Sequence, residues 1–247
     1  MTTIHSHWIN GNLVYYQSNY MQRWLDAVGP AVIKVKQEFQ FGNYAVAAGD
    51  ATGITREGWL LTFVEVGAGG QLMSLVAGAD GGNLLITNAG NEDDGINMQV
   101  IGSSFNLSLT NAWPAYFGAR FQISEATESD FVLGLCNTDT TLTAATEDGI
   151  YFRKADGSTA VSAVIEKTHV ETTVAAWTAA ANTWVIAEIL FDGVNVDFYV
   201  NGTALTRQVA TNIPNTVYLT PSFEFLNGSA ANHTATFDWI RAFQLQT

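Results

Sequence analysis

Trp184-Val-Ile-Ala-Glu-Ile-Leu-Phe191, Asp192-Gly193, Val194-Asn-Val-Asp-Phe-Tyr-Val200 and Asn201-Gly202 follow one another in the last third of the chain. Two runs rich in β-branched and aromatic residues are each closed by a dipeptide that accepts positive φ cheaply, the pattern of antiparallel strands joined by tight turns. Asn201-Gly202 predicts a type I′ hairpin turn and places Asp197 on the solvent face.

The same alternation extends outward in both directions. In Tyr116-Phe-Gly-Ala-Arg-Phe-Gln-Ile123, Phe117, Ala119, Phe121 and Ile123 face a core while Tyr116, Gly118, Arg120 and Gln122 face away, because successive strand side chains point to opposite faces. Residues 32–41, 59–66, 131–136, 150–154 and 160–166 read as further strands. Glycines recurring between 67 and 97 interrupt apolar stretches at 72–76 and 84–87 as turns; no helix-forming stretch follows them, which excludes a G-x-G-x-x-G nucleotide loop. Over 217–226, Val217, Leu219, Phe223 and Phe225 share a face with Pro221, whose missing donor predicts an edge strand or a bulge. Over 235–245, Phe237, Trp239, Phe243 and Leu245 share parity with Arg241; either a bulge turns Arg241 outward or its charge finds a buried partner, and the bulge is preferred since an unpaired buried charge is costly. The expected architecture is all-β: a two-sheet antiparallel jelly-roll sandwich over 31–247.

Residues 1–30 form a separate N-terminal arm. Tyr16, Tyr20 and Trp24 recur every four residues with Leu25 and Val28 beside them, which predicts one short helix over 18–28 stopped by Gly29-Pro30. So many rings need apolar cover, either across the end of the sandwich or on a neighbouring subunit.

Composition narrows the function classes. Of 247 residues 47% are hydrophobic and only 13% charged, far from the signature of disorder. Ten Lys+Arg against 23 Asp+Glu leave a net charge of −13, which argues against nucleic acid or anionic membrane; a partner chosen by charge would be neutral or basic, and the plainer reading is an acidic surface that keeps the protein soluble. Cys136 is the single cysteine and sits in an alternating apolar run, so it is read as a buried, inert thiol. The N-terminus lacks the charged and apolar regions of a secretion signal, and no run is long enough to span a membrane. Synthesis and folding in the cytoplasm are expected.

No reaction is legible. His5 and His7 could share a metal on an extended segment, but no third ligand is placed; His169 has no serine elbow near it. Glu92-Asp93-Asp94 lacks the calcium-loop pattern and reads as a solvated turn. A glycosidase needs two carboxyl groups about 5–9.5 Å apart, and in laminarinase-like jelly rolls these stand on one strand as E-x-D-x-x-E. Here Glu188 and Glu224 are each alone on a strand. Trp59, Trp184 and Trp239 are assigned to the core, and Trp113 and Trp177, near turns, to positions that could be exposed. No catalytic residue, metal site or cofactor is expected.

The run from Trp184 to Gly202, with Phe237-Asp-Trp-Ile-Arg-Ala242, resembles the hairpin and closing strand of concanavalin A-like and laminin-G-like jelly rolls. A longer series is similar to a family of tailed-phage virion structural proteins, over about residues 57–245: Gly82-Asn-Leu-Leu-Ile-Thr87, Asp94-Gly-Ile-Asn-Met-Gln99, Tyr116-Phe-Gly-Ala-Arg-Phe121, Ser129-Asp-Phe-Val-Leu-Gly-Leu135, Asp148-Gly-Ile-Tyr-Phe152 and Leu219-Thr-Pro-Ser-Phe-Glu-Phe-Leu226. That resemblance implies a non-enzymatic capsid decoration, or cement, protein on the outer surface of a virion, made in the host cytoplasm. Its partner would be the major capsid protein, and it would form a homo-oligomer, a trimer among the options. Trp8, Tyr15, Tyr16, Tyr20 and Trp24 are the residues expected to dock. The alternative is a carbohydrate-binding adhesin on a tail fibre or the shell.

Overall fold

The computed structural model describes residues 3–246 apart from 18–19, 49, 51, 65–69, 79–80, 144–147 and 209–210. Its strands in chain order are β1 (Ile4–Ile9), β2 (Asn12–Gln17), β3 (Tyr20–Val28), β4 (Val32–Gln37), β5 (Ile54–Arg56), β6 (Trp59–Val64), β7 (Leu72–Gly78), β8 (Gly81–Thr87), β9 (Gly95–Val100) and β10 (Ala115–Ile123). There follow β11 (Ser129–Cys136), β12 (Gly149–Lys154), β13 (Ala160–Lys167), β14 (Val170–Thr178), β15 (Val185–Phe191), β16 (Val196–Val200), β17 (Thr203–Ala204), β18 (Thr220–Asn227) and β19 (Thr234–Leu245). No helix occurs among the described residues.

Two antiparallel sheets make the sandwich. The first runs β17-β16-β15-β10-β19-β8-β7, and β19 is long enough to pair β8 through Thr234–Phe237 and then β4 through Ile240–Leu245 on the same edge. The second runs β14-β13-β12-β11-β18-β9-β6-β5. Their inner faces meet in one core, to which β10 contributes the alternate residues Phe117, Ala119, Phe121 and Ile123. Rings close the gap between the sheets: Phe223 meets Phe237 edge-on at 4.5 Å, and Phe152 meets Phe198 at 5.4 Å, geometries that aromatic quadrupoles favour. The hairpin turn forms as expected, with Asn201 at φ 51° and Gly202 at φ 82°.

Two expectations need correction. Residues 20–28 are strand β3, not helix, because a four-residue spacing is also a multiple of two; Tyr16 and Trp24 are cross-strand partners in the β2–β3 pair. Residue 18 lies outside the described residues. Pro221 is neither on an edge nor in a bulge: β18 is a central strand, unbroken in register against β11. Proline is accommodated because it is the second residue of β18, where pairing with β9 has not begun; that ladder starts at Ser222. The expected bulge in β19 does exist, with Arg120 opposite Trp239 and Phe121 opposite Phe237, so that Asp238 is the extra residue. It reverses parity for everything after it. Phe237 stays in the core, Ile240 and Ala242 join it, and Trp239, Phe243 and Leu245 leave with Arg241 for the outer face.

Candidate functional site

What lies on that outer face is the N-terminal sheet β1-β2-β3. Val14, Trp24 and Ala27 pack there against Tyr116, Phe243 and Leu245, and the Trp24 indole stacks on the Tyr116 ring at 5.8 Å and 15°. A buried ion pair fixes the contact. Arg23 Nε and Nη2 donate to the two oxygens of Glu188, each at 2.8 Å, and the Tyr116 hydroxyl donates to Glu188 Oε1 at 3.2 Å. Gly118 makes this possible, since a Cβ there would stand 2.2 Å from the Tyr116 oxygen. Burial first, then the neighbouring Glu188 charge, pushes the Tyr116 phenol well above its ordinary pKa, keeping it a donor.

The five expected docking residues therefore have different fates. Trp24 is 4% exposed and committed inside the chain. Tyr15 and Tyr16 are half-buried, and Tyr16 stacks with the His5 ring at 5.8 Å. Trp8 is 67% exposed on β1, with Ile4 at 63%. The Tyr20 side chain lies outside the described residues. Among the described residues β1 pairs only with β2, which leaves its other backbone edge without a strand partner there.

Two clefts flank the N-terminal sheet where it meets the sandwich. One of about 490 Å³ is walled by His7, Ile9, Gln22 and Trp24, floored by Leu190 and Tyr199, and rimmed by Asp192, Asp197 and Arg207. Asp197 is on the outer face as expected, but ion-paired: Arg207 donates to both of its oxygens. The other, of about 400 Å³, lies between Ile4, Gln17 and Arg23 on one side and Ile186, Trp239 and Arg241 on the other. Arg241 is held over the Trp239 ring at 4.3 Å and bonded to both Glu38 oxygens at 2.8 Å. A third, more polar cleft of about 250 Å³ crosses the same sheet further along, lined by Asn83, Arg120, Gln122, Trp184 and Asp238.

The tryptophan assignments shift accordingly. Trp59 is core. Trp184, expected in the core, is half-buried on the outer face with the Arg120 guanidinium 4.5 Å above its ring. Trp177, expected near the surface, packs inward against Phe121, Phe131 and Phe152. Neighbouring strands supplied the partners, which local pattern does not encode.

Glu188 and Glu224, the two strand carboxylates singled out from the sequence, do not face each other. Glu188 faces the N-terminal sheet, whereas Glu224 lies on the outer face of the second sheet, across the whole sandwich. On Glu224's face, Glu166 accepts from the Tyr151 hydroxyl three strands away; at a strand spacing of about 4.8 Å this puts the two carboxyls beyond the ~5–9.5 Å that glycoside cleavage uses. Asp130 is nearer, on the diagonal from Glu224 across the β11–β18 pair. Strand β12, in the middle of this sheet, turns Gly149, Tyr151 and Arg153 outward. Among the described residues no group of three or more His, Cys, Asp or Glu side chains could hold a metal ion, and no helix is long and apolar enough to cross a membrane. Cys136 is buried beneath Leu142 with Val132, Tyr151 and Val164.

No protein-family model and no curated protein matches the chain. Solved structures do. A protein of unknown function from Shewanella oneidensis MR-1 superposes with a TM-score of 0.58 at 12% identity, over 90% of each chain. A glycoside hydrolase family 16 endo-glucanase from Bacteroides ovatus gives 0.57 at 12% identity, over 84% of this chain and 99% of the other. The Emp47p carbohydrate recognition domain gives 0.54 at 10% identity, over 83% and 96%. At such identities the likeness speaks for the fold alone, and with the two stacked antiparallel sheets it makes this chain a concanavalin A-like jelly roll.

Proposed function

We propose that the chain is a non-catalytic virion structural protein, a capsid decoration protein that docks on the major capsid protein through its N-terminal sheet. The observation that carries this reading is strand β1: a backbone edge without a strand partner among the described residues, Trp8 and Ile4 exposed on it, mounted on a sheet whose other end is tied to the sandwich by a buried ion pair. An exposed edge with large apolar side chains is a pairing hazard unless a partner covers it. The sequence resemblance to tailed-phage virion proteins supplies the kind of partner, and the dispersed carboxylates fit a binding role. Decoration stabilises a shell by adding contacts that only the assembled state offers. Particles assembled without this chain should lose heat or osmotic resistance and regain it when purified protein is added back; unchanged resistance, with the protein absent from wild-type shells, overturns the reading.

The polar cleft favours a second reading, a glycan-binding module. Asn83 and Gln122 carry amides that bond to no other described residue, beside an indole and a fixed guanidinium–carboxylate pair. Vicinal hydroxyls match such a set of donors and acceptors. A glycan array probed with multivalent protein decides: binding lost in Trp184→Ala supports this reading, and a blank array removes it.

A further inference from the structure

After β11 the chain folds back over the outer face of the second sheet. Between Asn137 and Thr143 it is tied there by side chains of β9 and β18. Gln99 Nε2 donates to the Asn137 carbonyl at 3.0 Å and to Ser222 Oγ at 2.8 Å, the Asp139 amide donates to Gln99 Oε1 at 3.0 Å, and Asn97 Nδ2 donates to the Asp139 carbonyl at 2.8 Å. The last tie is the Thr143 amide, which donates to Glu224 Oε2. Leu142 anchors the segment in the small apolar cluster beside Tyr151.

Asn97 and Glu224 are direct cross-strand partners on this face, 1% and 0% exposed. Each retains one buried oxygen without a hydrogen-bond partner, Asn97 Oδ1 and Glu224 Oε1. With Glu224 ionised, both are acceptors and neither finds a donor, an arrangement that proteins avoid. A divalent cation would ask for about six to eight oxygens, and the pair offers two. One proton satisfies both.

We propose that Glu224 carries a proton on Oε1 in this closed structure and donates it to Asn97 Oδ1, and that this proton latches the Asn137–Thr143 segment onto the sheet. Burial, outweighing the hydrogen bonds from Thr143 and Leu142 and assisted by the Asp139 charge, pushes the Glu224 carboxyl up to about 7, in keeping with that assignment. Strand β9 presents Asn97 to Glu224, β11 presents Val132 with Asp130 one step along the diagonal, and the loop presents Asp139 together with the Thr143 side chain and the Leu142 and Thr143 amides. Asp130 is itself raised to about 6, by burial and then by Asp156 and Asp93.

Linkage sets the sign. The closed state holds the proton more tightly than the open, hydrated one, so opening rises with pH from the ordinary glutamate range up to about 7, by about tenfold per unit, and is level above it. Opening uncovers a polar row of Asn97, Gln99 and Ser222. Amide hydrogen exchange of residues 139–143, corrected for intrinsic rates, should show an opening constant about a hundredfold larger at about pH 8 than at about pH 5. Glu224→Gln, whose amide can donate to Asn97 while its oxygen accepts from Thr143, should remove most of that rise, and Asp130→Asn should leave it intact. An equal rise in Glu224→Gln, no rise in the wild type, or millimolar calcium closing the wild-type segment at the higher pH each overturns the proposal. Carbon NMR of the wild-type glutamate carboxyls gives a reading that needs no variant: one must titrate near 7, and a set titrating wholly in the ordinary range refutes the latch.

Discussion

At the scale of single residues, the most consequential contact is one that strand parity could not announce. Glu188 stands on the solvent side of β15 by alternation, yet it is fully buried because Arg23, 165 residues away in sequence, comes down on it. Removing one member of such a pair strands a charge, whereas replacing both by apolar groups removes the desolvation cost as well. Arg23→Ala should destabilise the protein by about 3–5 kcal/mol, while Arg23→Met combined with Glu188→Leu should be neutral or stabilising by about 1–4 kcal/mol. Urea unfolding of the three proteins checks this; equal losses in the single and double variants would show that the site matters for packing and not for charge. The pairing was illegible in the sequence for a plain reason. A lone glutamate on a strand has the same pattern whether it meets water or an arginine from another sheet.

At the scale of elements, β1 and β3 belong to one small sheet and carry opposite burdens. Trp24 on β3 is packed on Tyr116 and Phe243, while Trp8 on β1 projects outward. Trp24→Ala should cost about 3–5 kcal/mol of stability, as deletion of a buried aromatic does. Trp8→Ala should stay within about 0.5 kcal/mol of the wild type and yet weaken attachment to shells by about 2 kcal/mol or more, the cost of an interface anchor. Thermal unfolding read beside co-sedimentation with undecorated particles separates the two, and a Trp8 variant that binds normally removes β1 from the docking surface. Aromatic richness in this segment was visible from the sequence; its partition was not. A spacing of four fits helix and strand alike, and only pairing of Tyr16 with Trp24 resolves it.

At the scale of the whole molecule, ionisation should shape stability in one direction over a wide range. Asp130, Glu166 and Glu224 have raised pKa values, burial being the first cause in each, so the stability they contribute is present below the ordinary carboxyl pKa and is lost as pH rises through their folded values, to about 6 and about 7 for Asp130 and Glu224. Asp26, Glu125 and Asp192 are lowered by hydrogen bonds that outweigh burial, and their contribution is lost as pH falls through the carboxyl range. A net charge of −13 adds self-repulsion at high pH. The unfolding midpoint should therefore be higher near about pH 5 than near about pH 8; a midpoint that climbs from 5 to 8 would contradict it. Alternation by itself determined the class of fold, the two-sheet core and the tight hairpin, because period-two burial and turn chemistry are local properties of the chain. It also located the bulge in β19, through the misfit of Arg241 among apolar neighbours. Which outer faces are covered, which tryptophans are exposed and where the buried carboxyls find partners was decided only by tertiary structure. Those outcomes depend on segments distant in sequence, the N-terminal sheet and the Asn137–Thr143 segment, coming to rest on faces that alternation marks as outward.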